Sequence, residues 1–148
     1  MAELPATVTA SSGFQPTADD LRGVEDWFAE YETHVASGDV ARMADMALFP
    51  LNVVSDDASG NGAAAQWTRE QFMGAMSHVV AGAGETRMES DRTPVFLTKQ
   101  LVLVVTNATF TTGEKAEPVR YADLLVKKDG RWLFQTMVQG GWGDQLAG

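Results

Sequence analysis

The clearest indication of the fold is the sequence Arg120-Tyr-Ala-Asp-Leu-Leu-Val-Lys-Lys-Asp-Gly-Arg-Trp132, which continues to Trp142. Two apolar runs flank Asp129-Gly130, and this arrangement predicts a β-hairpin because a primed turn needs positive φ at both central residues. The first run contains a carboxylate, Asp123. A carboxylate inside a strand is costly to bury unless it is hydrogen-bonded or protonated. The hairpin therefore indicates a fold, while Asp123 raises the question of chemistry.

Composition limits the classes of function. The 148 residues are 45% hydrophobic and 21% charged, as expected for one globular domain with a real core. Cysteine is absent, which excludes disulfides, thiolate metal sites and a cysteine nucleophile and fits a cytoplasmic location. The formal charge of −9 argues against nucleic acid and against an anionic membrane surface as partners. The sequence has neither a membrane-spanning apolar run nor the pattern of a signal peptide.

The first half of the chain predicts helices. Residues 1–16 lack a clear period and are expected to form a flexible arm, with 17–148 as a single domain. Thr17 is a suitable cap for a first helix, and Gly38 ends it. The predicted buried face of this helix is Leu21, Val24, Phe28, Tyr31 and Val35.

A second helix, a strand and a loop are expected next. Asp39 caps the second helix, which Pro50 stops. Leu51 to Ser55 is predicted to be a short strand, and Asp56 to Ala65 a loop. The residues expected to face inward from the second helix are Val40, Met43, Met46 and Ala47.

The third helix has a clear start signal, the capping box formed by Thr68 and Gln71. Gly82 and Gly84 are expected to end it. Its predicted buried stripe is Phe72, Ala75, Met76 and Val79.

The second half of the chain predicts strands. These are expected over Glu85 to Asp91, where Arg92 breaks an alternating pattern, then Val95 to Thr111, Val119 to Lys128 and Arg131 to Gln139. Helices segregated beside an antiparallel sheet define an α+β fold.

The middle of the predicted sheet is apolar on both faces. Leu101, Leu103 and Val105 alternate with Val102 and Val104. A sheet with one solvated face would alternate with polar residues instead. The helices can cover one face, and a second copy of the chain is the natural cover for the other, so a homodimer through the sheet is expected.

This order of elements resembles the nuclear transport factor 2-like superfamily over about residues 18 to 142. The resemblance is carried by Ser37-Gly38-Asp39, Leu48-Phe49-Pro50 and Asp129-Gly-Arg-Trp132. The superfamily contains SnoaL-like polyketide cyclases, ketosteroid isomerases, limonene epoxide hydrolases, scytalone dehydratases and many proteins without enzymatic activity. The resemblance implies a cystatin-like cone, a curved antiparallel sheet wrapped around three N-terminal helices, with a pocket at its open end.

Comparison with ketosteroid isomerases implies catalytic residues at Tyr31, Asp57 and Asp123. Those enzymes move a proton with one aspartate and hold the oxyanion with a tyrosine and a protonated aspartate. The implied activity is a cofactor-independent isomerase, cyclase or dehydratase acting on a small apolar carbonyl compound. Asp57 would take the proton, although the adjacent Asp56 is an alternative because the two point to opposite sides of a continued strand.

Several residues are candidates for lining the pocket. Trp142 is the best aromatic candidate, since it follows the last strand where this superfamily often lines its pocket mouth. The further candidates for substrate contact are Trp27, Phe28, Tyr121 and His78. The two histidines form no metal motif, and no cofactor signature is present, so neither a metal nor a cofactor is expected.

Each candidate has a structural alternative. Asp123 can be a structural aspartate bonded to a neighbouring group, Tyr31 a core tyrosine and Asp57 a turn residue. The second functional hypothesis is therefore a non-catalytic ligand-binding or dimerisation domain of the same fold.

Overall fold

Residues 13–83 and 86–146 of this computed structural model are described here, and they form four helices and six strands. The helices are α1 (Ala18–Ser37), α2 (Val40–Asp45), α3 (Arg69–Ala83) and α4 (Gly143–Leu146). The strands are β1 (Ala47–Asp56), β2 (Gly62–Trp67), β3 (Arg87–Thr98), β4 (Leu101–Thr112), β5 (Lys115–Lys128) and β6 (Arg131–Gln139). Residues 1–12 of the predicted arm, and the predicted helix end at Gly84, lie outside the described residues.

The six strands form one curved sheet in the order β2-β1-β6-β5-β4-β3. Neighbours are antiparallel except β1 and β6, which are parallel. The predicted α+β class and the cystatin-like arrangement of helices against a curved, mainly antiparallel sheet are confirmed.

The predicted hairpin joins β5 to β6. Asp129 and Gly130 have φ of 52° and 79°, so both central residues occupy the left-handed region that a primed turn requires. Lys128 pairs directly with Arg131 across the turn.

The helix caps are also confirmed. Thr17 and Asp20 form a reciprocal capping box at the start of α1, and Gly38 ends that helix with φ 68°. The box that opens α3 joins the Thr68 amide to Gln71 Oε1 at 2.9 Å.

The predicted second helix was too long. It ends at Asp45, so Ala47 belongs to β1 and Pro50 lies within that strand. The register between β1 and β6 shifts between Ala47 and Asn52, and a proline fits such an irregular stretch because it has no N–H to donate.

The predicted loop over Asp56–Ala65 was also wrong in its second half. Gly62–Trp67 forms β2, which pairs with β1 through contacts such as Val54 with Ala64. Its Gly-Ala-Ala-Ala sequence has low β-propensity, so pairing with β1, rather than local preference, makes it a strand. The long segment predicted over Val95–Thr111 is divided by a turn at residues 99–100, where no glycine or proline marks the break.

The two faces of the sheet differ in burial. On β4, Val102, Val104 and Thr106 are fully buried on the side that the helices cover, here called the inner face. The alternate residues, which define the outer face, are only half-buried. On α3, Val79 is 40% exposed rather than buried as predicted, while Phe72 and Met76 face the core.

Candidate functional site

A row of polar side chains, here called the polar row, crosses the inner face of the sheet. Strand register pairs Arg92 of β3 with Thr106 of β4, Thr106 with Tyr121 of β5, and Tyr121 with Gln139 of β6. Residues directly opposite each other on neighbouring strands share a face. The row reaches β1 at Ser55, whose hydroxyl donates to the Gln139 carbonyl at 2.5 Å.

Asp123 lies in the next row towards the apolar core. It is opposite Val104 on β4 and Met137 on β6, and Met137 is opposite Val53 on β1. One step further, the facing residues Val102, Leu125 and Phe134 are all buried and apolar. Asp123 therefore sits at the boundary between the polar row and the core.

Burial is the main influence on the acidity of Asp123. Desolvation raises the pKa of this carboxyl to about 7, and the nearby Arg92 only partly opposes the shift. No hydrogen bond from the described residues contributes to this shift of the Asp123 pKa. The side chain nevertheless keeps some accessible surface. The group can therefore change protonation near neutral pH. The part of the curved inner face in front of Asp123 is here called the hollow.

Tyr31 reaches the same hollow from α1. Its ring stacks on Trp27 with centroids 5.3 Å apart and meets the edge of Phe134 at 5.4 Å. Burial raises the pKa of its hydroxyl, and the neighbouring Asp123 and Tyr121 raise it further. The hydroxyl therefore stays protonated at neutral pH and can donate a hydrogen bond.

Tyr121 completes the group around Asp123. Burial raises the pKa of its hydroxyl, whereas the neighbouring Arg92 and Thr106 lower it. The Tyr121 and Thr106 hydroxyls are near neighbours outside hydrogen-bonding geometry, because Thr106 Oγ1 is buried without a partner among the described residues. The structure thus brings Tyr31, Tyr121 and Asp123 together.

Arg92 is the residue that sequence analysis missed. Its Nη2 bonds Glu32 Oε1 at 2.7 Å, its Nη1 donates to Ser90 Oγ at 3.0 Å, and its guanidinium lies 4.2 Å from the centroid of the Phe28 ring. Within the described chain its Nε is buried and has no partner. The missed signal was the spacing of Arg92 from Phe96, since residues two and four positions apart share a face of a strand.

Asp57 lies in the turn between β1 and β2. Its Oδ1 accepts hydrogen bonds from the Ser59 amide at 3.0 Å, the Ser59 hydroxyl at 2.7 Å and the Asn61 amide at 2.9 Å. The Asn61 amide is the largest of several influences that lower the pKa of Asp57. Its described contacts are those of a turn residue, and they do not bring it to Tyr31 or Asp123.

Asp56 and Trp142 are held at the other end of the polar row. Asp56 Oδ1 accepts from the Gly141 amide at 2.7 Å, and the Trp142 amide donates to Ser55 Oγ at 2.9 Å. The half-buried Trp142 ring packs against the core. His78, the remaining predicted contact residue, lies on an exposed side of α3.

An open cleft of about 230 Å³ lies between α1 and the β5–β6 hairpin. Its lining residues are Gly23, Asp26, Trp27, Glu30, Met46, Arg131 and Trp132. Trp27, which lines this cleft, also stacks on Tyr31.

Among residues 13–83 and 86–146, no group of three or more His, Asp or Glu side chains is arranged to hold a metal ion. Over the same ranges, no helix is both long enough and apolar enough to span a membrane.

Helices packed against a curved, mainly antiparallel sheet are the architecture of the nuclear transport factor 2-like superfamily. The profile of the SnoaL-like domain matches residues 24–139. The chain therefore belongs to the SnoaL-like family. None of the curated proteins matches it.

Solved structures support the fold. A candidate scytalone dehydratase from Novosphingobium aromaticivorans is 18% identical with a TM-score of 0.59, covering 82% of this chain and 86% of its own. A candidate dehydratase of the nuclear transport factor 2-like family from Streptomyces avermitilis is 11% identical with a TM-score of 0.61, covering 84% and 97%. A candidate calcium/calmodulin-dependent protein kinase II association domain from Xanthomonas campestris is 20% identical with a TM-score of 0.57, covering 95% and 92%. At these identities the likeness concerns the fold alone.

Proposed function

We propose that this protein binds a small apolar carbonyl compound in the hollow beside Asp123 and catalyses an acid–base isomerisation, cyclisation or dehydration. The observation that carries the proposal is the position of Asp123, a desolvated carboxyl with the hydroxyls of the half-buried Tyr31 and Tyr121 as neighbours. A general acid–base group works best when its pKa is close to the operating pH.

In the proposed reaction, ionised Asp123 removes a proton from the carbon next to the carbonyl group. The C–H electron pair becomes the enolate, and its oxygen is stabilised by the hydroxyls of Tyr31 and Tyr121. Protonated Asp123 then returns the proton. Returning it to another carbon isomerises the compound, attack of the enolate on a second carbonyl closes a ring, and loss of a protonated hydroxyl group dehydrates it.

This proposal changes the roles expected from the sequence. In this proposal Asp123 transfers the proton, whereas the resemblance implied that role for Asp57. The reason is that Asp57 Oδ1 already accepts three hydrogen bonds within its own turn. Tyr31 keeps the expected role of hydrogen-bond donor to the oxyanion.

The walls of the hollow support an apolar substrate. Trp27 contacts Phe28 edge-on at 4.9 Å between centroids, and both rings are buried. Together with Tyr31 and Phe134 they form an aromatic cluster next to Asp123, here called the aromatic wall. Trp142 is retained as a substrate contact because its amide is fixed to Ser55. His78 is not retained, since its side of α3 is exposed.

Exchange of carbon-bound protons for deuterium tests this proposal without knowledge of the natural product. Loss of the α-proton signals of 2-tetralone and of a β-keto ester would be followed by NMR in D2O. We expect the protein to accelerate exchange and Asp123→Asn to abolish the acceleration, while Asp57→Asn retains it. If Asp123→Asn and Tyr31→Phe both leave exchange unchanged, the assignment fails.

A second proposal concerns the outer face of the sheet, where a second copy of the chain would bind. Val95 and Leu97 on β3 are 46% and 52% exposed, and Val138 on β6 is 39% exposed. The half-buried Leu103 lies directly opposite Val95. A continuous apolar face of this kind is typical of protein interfaces, and two-fold dimers are the commonest assembly. The dimer is compatible with catalysis and equally with the alternative of a non-catalytic binding or dimerisation domain.

A further inference from the structure

Arg92 is a cation at the inner face of the sheet whose hydrogen-bonding capacity is only partly used. Nη2 and Nη1 are directed to Glu32 and Ser90, while Nε is buried and unpartnered in the described part of the chain. The side chain is 20% exposed, so it lies at the margin of the interior rather than in solvent. A buried guanidinium N–H without an acceptor is costly, which makes it a feature that needs an explanation.

Thr106, the opposite residue on β4, also has a buried polar atom without a hydrogen-bond partner in the described residues. This atom is Oγ1, and the residue as a whole is fully buried. Arg92 and Thr106 are directly opposed in the β3–β4 register. Tyr121, the next residue of the polar row, adds a hydroxyl that stays protonated because burial raises its pKa. Three donors therefore lie side by side on neighbouring strands.

The direction of the guanidinium is fixed by its other contacts. Glu32 and Ser90 hold the two terminal nitrogens, and the Phe28 ring lies 4.2 Å from the central carbon. Glu32 is 42% exposed, so the counter-charge of Arg92 sits on its solvent side. The inner edge of the guanidinium has no carboxylate hydrogen-bonded to it in the described residues.

We propose that the ligand of this hollow carries a carboxylate that binds Arg92 Nε and Thr106 Oγ1, beside the Tyr121 hydroxyl. This inference rests on the proposed small-molecule site and names the class of compound that it accepts. A two-oxygen anion satisfies several donors at once, and hydrogen bonds to an ionised acceptor are the strong ones. Arg92 is then a specificity-determining residue, because a neutral analogue leaves its N–H groups inadequately paired.

The two rows of the inner face would contact different parts of the ligand. The polar row binds the anionic group, and the aromatic wall of Trp27, Phe28 and Phe134 contacts the apolar body. Asp123, one row deeper, faces the carbon skeleton next to the anchored group. The favoured substrate class is accordingly an apolar keto acid, and a neutral ketone such as 2-tetralone would be a weaker substrate.

Matched pairs of ligands test the inference directly. Binding of 2-naphthoate and 2-naphthamide, and of the smaller benzoate and benzamide, would be measured at pH 6 by titration calorimetry and tryptophan fluorescence. We expect at least one carboxylate to bind about 10- to 100-fold more tightly than its amide, the range for a charge-assisted hydrogen bond. Arg92→Met should abolish this preference and Thr106→Val should reduce it, with Asp57→Asn as the unaffected control.

Folding of each variant would be checked by circular dichroism, and Thr106→Val keeps the inference testable if Arg92→Met fails to fold. Equal affinity for acid and amide, no binding of either carboxylate at millimolar concentration, or a preference that survives both variants would overturn it. A carboxylate preference without deuterium exchange supports this inference and contradicts the proposed catalysis. Deuterium exchange without a carboxylate preference supports the proposed catalysis and contradicts this inference.

Discussion

Arg92 and Thr106 face each other across β3 and β4, and each keeps a buried polar atom unpartnered among the described residues. This pair belongs to the polar row, and the rows that follow it along the inner face are progressively more apolar. Asp123 occupies the next row, between Val104 and Met137, and a fully apolar row follows. The arrangement places one titratable carboxyl where an apolar substrate and its polar group would meet.

The first prediction concerns the stability of Asp123→Asn as a function of pH. Because the pKa of Asp123 is raised in the folded state from 3.8 to about 7, its protonated form favours folding, and this contribution is lost as pH rises between those values. Asparagine mimics the protonated form at every pH. The variant should match the wild type near pH 4 and be more stable at pH 8 by up to about 4 kcal/mol.

Urea unfolding of both proteins at each pH measures this difference. Comparison between the two proteins cancels the opposite effect of Asp20 and Asp57, whose lowered pKa values stabilise the fold above their unfolded values. A stability difference that does not change with pH would contradict a raised pKa at Asp123.

The second prediction separates the hydroxyl of Tyr31 from its ring. Tyr31→Phe keeps the stack on Trp27 and the contact with Phe134, so the fold should be retained. Loss of one donor to the developing oxyanion should slow deuterium exchange of 2-tetralone by about 100- to 1,000-fold. Tyr121→Phe is the companion variant and should also slow exchange. Exchange that is as fast in Tyr31→Phe as in the wild type would remove Tyr31 from the mechanism.

The third prediction concerns the packing of α4 against the end of β1. A Cβ at Gly143 would clash with the backbone carbonyl of Asp56, so Gly143→Ala should destabilise the protein by about 1–3 kcal/mol. Gly74, in the interior of α3, has open space at its Cβ position, and Gly74→Ala should instead stabilise by about 0.5–1 kcal/mol. Thermal unfolding of both variants gives the two signs, and a neutral Gly143→Ala would show that α4 is not closely packed on β1.

The fourth prediction concerns the proposed dimer. Substituting Val95→Lys and Leu97→Lys together places charges on the outer face, where the two side chains are about half exposed. Light scattering after size-exclusion chromatography should change from twice the chain mass to 15.9 kDa. The control is Val79→Lys, an exposed apolar position on α3, which should leave the dimer intact. A wild-type protein that is monomeric at high concentration would exclude this interface.

Much of the fold was predictable because local signals agree with it. The Asp129-Gly130 turn and the capping residues Thr17, Gly38 and Thr68 each fix a local conformation that the structure retains. β2 was not predictable, since its alanines form a strand only by pairing with β1. Proline at position 50 was taken for a helix stop because sequence alone does not reveal a register shift between two strands far apart in the chain.

The site was only half predictable for a related reason. The resemblance suggests Tyr31 and Asp123, and the faces of α1 and β5 on which they lie account for their partial burial. Arg92 was passed over because its importance depends on its partners Glu32 and Thr106, which are distant in sequence. Alignment with the resembling family favours Asp57, whereas the structure shows that the amides of Ser59 and Asn61 hold its carboxylate within its own turn.

The most direct test of the central claim is the ionisation of Asp123 itself. The 13C chemical shift of its carboxyl carbon would be followed from pH 3 to 10 by NMR, with Asp123→Asn used to assign the signal. We expect a midpoint near 7, because desolvation is the main influence on the acidity of this carboxyl. A midpoint near the ordinary value of about 4 would contradict it, since the carboxyl would then be solvated and unsuited to carry a proton at neutral pH.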